Sequence, residues 1–210
     1  MRPSMPRAAM MAGALSLTVA APAAAQTEGP TASVASAGVA EKRLQVRAGK
    51  RVKVIGVAQP AAAGHVATLQ VKVRDRWRTI DRDRTAASGR YVLRDRRHGA
   101  MSAPARVTVG GVTRRIGRLD VYRSAYASWY GPGLYGNHLG CGGRLSPGRL
   151  GVAHKSLPCG SRVTLRHRGR SVRVRVIDRG PYVGGREYDL TEATAQKLRF
   201  RGHGSILTTR

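Results

Sequence analysis

Apolar and polar residues alternate with a period of two along most of this chain, and that alternation constrains the fold more than any other feature. Val52 and Val54 flank Lys53; Leu69, Val71 and Val73 alternate with Gln70 and Lys72; Val107 and Val109 flank Thr108; Val172, Val174 and Val176 alternate with Arg173 and Arg175. A period of two sets one apolar face on a strand, whereas a helix needs a period near 3.6. Turn signals at Ala48-Gly49, Ser88-Gly89 and Gly110-Gly111 punctuate these runs. The chain therefore reads as mainly β. Short strands at this spacing over residues 43–122, with Trp77 to fill a core, predict a small immunoglobulin-like β-sandwich. Its acids, Asp75, Asp81, Asp83 and Asp95, each stand beside Arg and read as solvated or ion-paired. Nothing in this module looks catalytic, and it reads as a spacer or adhesion module.

A second module covers residues 124–210. Ala125 to Tyr130 is strand-like and ends at Gly131-Pro132-Gly133. Arg162 to His167 and Ser171 to Ile177 form a hairpin through Arg168-Gly169-Arg170. Thr191 caps a short helix running to Leu198, and a last strand covers about Gly204 to Thr209. Short strands with one helix predict a compact barrel, because closure removes exposed edges.

The first 25 residues read as a signal peptide. Arg2 and Arg7 supply positive charge, residues 8–20 are apolar but too short to span a bilayer, and Ala23-Ala24-Ala25 offers a cleavage site. Residues 26–42, rich in Gly, Ala, Ser and Thr, read as a flexible linker. The expectation is an exported protein of the cell envelope, with no later membrane span and no cysteine near the cleavage site to carry a lipid anchor. Export favours pairing Cys141 with Cys159. Closing that loop contributes roughly 3 kcal/mol in the chain-entropy model. Two thiols, or a metal pair with His138 or His154, are the alternatives, but zinc-type spacing is lacking.

With 38 Lys and Arg against 11 Asp and Glu, the formal net charge is +27. Nucleic acid is the first partner such a charge suggests. The basic residues alternate with Val along strands, however, no nucleic-acid motif occurs, and an exported protein seldom meets nucleic acid. Anionic wall polymers fit better by long-range attraction. The plainer reading is Arg-rich solvated strand faces.

Scarce acids at structured positions are the candidates for chemistry. Period two puts Asp178 on the Val172/Val174/Val176 side of its strand, where desolvation favours a protonated carboxyl suited to donate to a leaving group. Equally, Asp178 could accept backbone N–H bonds in the Arg179-Gly180-Pro181 turn or pair with Arg179. Asp189 could serve the site or cap the helix. His154 could be a groove partner or a framework histidine. Trp129, Tyr130, Tyr135 and Tyr182 could stack on sugar rings or simply pack.

In order along the chain stand Ala127-Ser128-Trp129-Tyr130-Gly131, Val152-Ala153-His154-Lys155-Ser156-Leu157-Pro158-Cys159-Gly160-Ser161-Arg162-Val163, Ile177-Asp178-Arg179-Gly180-Pro181-Tyr182 and Tyr188-Asp189-Leu190-Thr191. This series resembles the rare lipoprotein A family of septal-ring lytic transglycosylases over about residues 125–210. The resemblance implies a six-stranded double-psi β-barrel with one short helix, acting on peptidoglycan glycan strands. It implies Asp178 as the catalytic acid and matches His154 to the family's histidine; with the residues weighed above, the expected substrate-binding set is His154, Trp129, Tyr130, Tyr182 and Asp189, with no cofactor and no metal. Where many members carry an Asn-Gly-Glu segment, this chain has Gly140-Cys141-Gly142-Gly143-Arg144. An inverting hydrolase needs two carboxyl groups. A transglycosylase manages with one, and the missing acid therefore favours Asp178 working alone, leaving 1,6-anhydro ends. The alternative is a non-catalytic, expansin-like module that binds or loosens wall polysaccharide. The sequence says nothing of oligomeric state.

Overall fold

The computed structural model describes residues 38–210. The expected signal peptide, 1–25, and residues 26–37 of the expected linker lie outside the described residues. In chain order the first eight strands are β1 (Gly38–Arg43), β2 (Gln45–Arg47), β3 (Arg51–Val57), β4 (Val66–Val73), β5 (Arg76–Arg84), β6 (Arg90–Arg96), β7 (Met101–Val109) and β8 (Val112–Tyr130). One antiparallel sheet has the order β1-β3-β6; a second runs β5-β4-β7-β8, with β2 parallel to β8. The first strand thus begins inside the stretch read as linker, because Gly38–Arg43 pair with Val57–Lys53.

The two sheets face each other across one apolar core. Val52, Val54, Tyr91 and Leu93 come from the first sheet; Leu69, Val71, Val107, Leu119 and Val121 come from the second. Burial of each such side chain contributes about 1.5–3 kcal/mol. Trp77 does not fill this core. It pairs with Lys72 and lies half-buried on the outer face, with the Arg106 guanidinium 4.2 Å over its ring. Alternation set by the buried Leu69 and Val71 assigns Lys72 and its partner to the outside, and Tyr91 is the large aromatic inside. Two of the acids also do more than pair with arginine. Asp81 accepts the backbone N–H of Arg94, and Asp83 that of Val92, both at 2.6 Å, joining the edges of the two sheets. An edge N–H needs an acceptor, and these carboxylates supply it.

The remaining elements are β9 (Val152–His154), β10 (Arg162–His167), β11 (Arg170–Asp178), β12 (Tyr188–Thr191), α1 (Glu192–Leu198) and β13 (Gly204–Thr208). Beyond the sandwich, β8 pairs with β13 on one side and with β12 on the other. The ring order β8-β12-β9-β11-β10-β13 therefore closes on itself, a six-stranded barrel around Ala127, Val152, Val163, Leu165, Val174, Val176, Leu190 and Ile206. Thr191 caps α1, and its hydroxyl together with that of Thr194 holds the Gly151 backbone N–H at 3.2 and 3.0 Å. That clamp fixes where β9 begins. No turn separates sandwich from barrel, since the 19-residue β8 serves both.

Candidate active site

Three neighbouring strands of the barrel wall alternate in phase. Tyr188 and Leu190 of β12 and Val152 of β9 are fully buried in the core, as is Ala127 of β8, so Asp189, Ala153 and Ser128 belong to the opposite face. Backbone register places Ser128 beside Asp189, and Asp189 beside Ala153. Simple alternation on β11 would keep Asp178 on the inward side with Val174 and Val176. It does not hold. The register shifts between Val176 and Asp178, so Val176 pairs with Val152 but Asp178 pairs with Ala153. A bulge-like shift re-aims the side chain that follows it. The result is one cross-strand row, Ser128–Asp189–Ala153–Asp178. Two strand spacings put the two acids' Cα atoms roughly 10 Å apart, with only a methyl group between them.

Asp178 is half-buried and held from two directions. Its Oδ1 accepts the Gly140 N–H at 2.7 Å and the Arg179 N–H at 2.8 Å. The second bond is the turn contact open to it from the sequence. The first depends on close approach of the 131–150 loop. A Cβ on Gly140 would lie 2.9 Å from Arg179 Cγ, so only glycine fits without displacement. The Cys141–Cys159 disulfide holds that loop, bridging 18 residues with 5.5 Å between Cα atoms. Arg179 locks the other side, donating to the carbonyls of His154 and Leu157 at 3.1 and 2.9 Å.

Asp189 accepts the Ser128 hydroxyl at 2.9 Å. Burial raises its carboxyl above the usual range and the charge of Asp178 adds to this, while the Ser128 bond and Arg186 oppose it. Tyr130 lies on the same face of β8 as Ser128. Burial, then the nearby charge of Asp178, drives its phenol well above the usual value. The hydroxyl is close enough to feel Asp178 but has no partner in good hydrogen-bond geometry. It is adjacent to the carboxylate and not bonded to it, and a contact of poor alignment contributes little.

The structure does not bring His154 into this row. It follows Ala153, so alternation turns it to the other face, where its ring packs edge-on to Tyr188 at 4.9 Å between centroids. Its Nδ1 accepts the N–H groups of Ser156 and Leu157 at 3.1 and 3.0 Å, which leaves the ring proton on Nε2, 3.7 Å from Glu187. Burial lowers its pKa, and Glu187 only partly offsets this. Glu187 is itself gripped by both terminal nitrogens of Arg123. Burial would raise its carboxyl, but the Arg123 bonds and charge outweigh that and hold it below the usual range. Trp129 packs against the barrel core from the inward face. Tyr182, 83% exposed, stands on the surface beyond the Gly180-Pro181 turn. Of the six candidates, Asp178, Asp189 and Tyr130 come together; His154, Trp129 and Tyr182 stand apart. Sequence reasoning passed over Ser128, Gly140 and Ala153. All three lie within segments named above, but only strand pairing and the approach of the 131–150 loop reveal their part.

Residues 122–208 match the family model described as lytic transglycolase. Over 102 residues the chain is 38% identical to a probable endolytic peptidoglycan transglycosylase RlpA of Synechocystis sp., covering 48% of this chain and 31% of that protein. It is 35% identical over 123 residues to the endolytic peptidoglycan transglycosylase RlpA of Neisseria meningitidis, covering 58% and 52%. A third relative, from Aquifex aeolicus and named a probable enzyme of the same kind, is 43% identical over 79 residues, covering 37% and 35%. The barrel segment is thus similar to these RlpA relatives over part of their length, and its fold is of the double-psi β-barrel kind. The chain spans about half or less of the length of these relatives. A solved structure, the Streptomyces papain inhibitor (SPI), aligns over 94% of its length with 42% of this chain at 21% identity. Its TM-score of 0.33 is too low to carry any inference.

Proposed function

We propose that this barrel remodels peptidoglycan as a lytic transglycosylase, with Asp178 as acid and then base. The observation that carries the reading is the row Ser128–Asp189–Ala153–Asp178, two carboxyl groups across a single methyl group on one face. Asp178 gives its proton to the glycosidic oxygen, the C1–O bond breaks, and the leaving sugar departs as an alcohol. Positive charge then lies on the ring of the remaining sugar, beside Asp189. Asp178, now a carboxylate, takes the proton of that sugar's own C6 hydroxyl as its oxygen bonds to C1. The product is a 1,6-anhydro end, and no water is consumed.

Tyr130, held protonated by its surroundings, positions the sugar as a donor. Arg149 lies within electrostatic reach of Tyr130, and Arg186 within reach of Asp189. Both suit the carboxylates of peptide stems, which a guanidinium grips with paired N–H groups. A second reading exchanges the acids. Asp189, already biased toward its protonated form, donates, and Asp178 carries the charge that stabilises the ring.

We further infer an envelope setting, from the leader expected at 1–25 and the wall polymer the activity requires. Anionic wall polymers are the added partner that the net charge of +27 suits. The test is digestion of purified sacculi, with mass spectrometry of what is released. Wild type is expected to release anhydro-muropeptides, and Asp178→Asn to lower the rate by about a hundred- to ten-thousand-fold. Binding to sacculi with no release by either protein would leave only the expansin-like role.

A further inference from the structure

Where the end of α1, the start of β13 and the β10–β11 hairpin meet, a cavity of about 540 Å³ is lined by His167, Arg168, Arg199, Phe200, Arg201 and His203, with Gly204 and Ser205 completing it. It adjoins a second cavity of about 590 Å³ that shares His167, Arg168 and Ser205 and adds Arg47 and Arg166. Among the described residues, no Asp or Glu lines either one, and neither contains a residue of the acid row.

Backbone geometry singles out two of these arginines. Arg168 has φ of 43° and is followed by Gly169 at 82°, at the tip of the β10–β11 hairpin. Such a turn asks for Asn or Gly at the first position. Arg199 has φ of 49° as the left-handed residue that ends α1, the place where glycine is ordinarily found. Both positions carry backbone strain for the sake of a long cation, and both side chains line the same concavity. Arg74 and Asp75 are strained alike at the β4–β5 turn, so it is the shared concavity together with the strain that singles out Arg168 and Arg199. The wall behind them is firm, because the His167 ring packs edge-on to the buried Phe200 at 5.2 Å.

We infer that this pair of cavities binds a phosphodiester polymer, of the polyol-phosphate kind that cell walls carry. A phosphate presents oxygens in several directions and suits arginines converging from separate loops, whereas one planar carboxylate is matched by one guanidinium. Two adjoining concavities suit a repeating anion. A base-free polymer suits the lining better than a nucleic acid, because Tyr122 and Phe200 are 1% and 5% exposed and only the small imidazoles of His167 and His203 are left for bases to stack on. The envelope setting of the proposed function supplies the source of the polymer; the binding itself does not depend on cleavage.

The experiment is fluorescence anisotropy of a labelled poly(glycerol phosphate) oligomer titrated with the full chain. Arg168→Gly/Arg199→Gly is expected to weaken binding by about tenfold or more. Its melting temperature should hold or rise, because glycine relieves the left-handed strain. Arg168→Asn/Arg199→Asn guards against added chain flexibility and is expected to bind as weakly. The control, Arg74→Gly/Arg76→Gln, removes the same charge from the β4–β5 turn, where Arg74 also has a positive φ of 45°. It should bind nearly as wild type does. Equal weakening in the control would reduce the site to diffuse charge. Equal or tighter binding of a single-stranded DNA of the same charge would make the ligand a nucleic acid. Absence of polymer binding by wild type would overturn the inference outright. Digestion of polymer-free sacculi, unchanged in every variant, separates any of these failures from a failure of the cleavage reading.

Discussion

At Asp189 burial works against charge. Its carboxyl is raised, so between the ordinary carboxyl value of 3.8 and its folded value the folded chain holds a proton that the unfolded chain releases. Above that window, ionising it costs more in the folded state, and the site carries the penalty at neutral pH. Asparagine can still accept the Ser128 hydroxyl without bearing a charge. Asp189→Asn is therefore expected to keep or raise the melting temperature while slowing glycan cleavage by about ten- to a hundredfold. Calorimetry paired with a digestion assay reads both. A rate loss as deep as that of Asp178→Asn would move the proton to Asp189 and favour the second reading. Asp178 itself stands out in the sequence because a strand runs straight into it and a Gly-Pro turn follows. Ser128 and Ala153 do not, because a hydroxyl and a methyl acquire meaning only when pairing sets them beside an acid.

Strand identity was legible along β10 and β11, where Val alternates with Arg, and at the Thr191 cap of α1. Facing was less so. Asp178 departs from the face its own strand assigns because the shift arises against β9, a partner far away in sequence. Trp77 turned outward for a related reason: β5 takes its facing from the strand beside it. His154 is one residue out of phase with Ala153, and one residue is enough to change faces. The 131–150 loop has no periodicity, and its part in the site rests on one glycine and one disulfide. Cys141→Ser/Cys159→Ser is expected to lower stability by about 3 kcal/mol in denaturant unfolding. It should also slow cleavage at temperatures where the barrel stays folded, since Gly140 is no longer held against Asp178. A variant that loses stability but keeps its full rate would show that the loop does not support the acid.

Across the whole molecule, a closed barrel and a sandwich share one long strand, and the acid row sits on the barrel wall where β8, β12, β9 and β11 run side by side. Its stability should depend on pH through the His154–Glu187–Arg123 cluster. His154 is lowered, so the unfolded chain takes up a proton near 6.5 that the folded chain refuses, and stability falls as pH drops below that value. Glu187 is also lowered, so its contribution is present above 4.5 and is lost as pH falls through its folded value. Melting temperatures should decline from about pH 7 to pH 5, and His154→Gln should flatten that stretch. An unchanged slope in the variant would assign the decline elsewhere. The central consequence of the proposed function is bond cleavage without water. It is tested by digesting sacculi in heavy-oxygen water and weighing the new glycan ends. Anhydro ends without heavy oxygen, lost in Asp178→Asn, are the predicted result; reducing ends carrying the heavy oxygen would contradict it and make the enzyme a hydrolase.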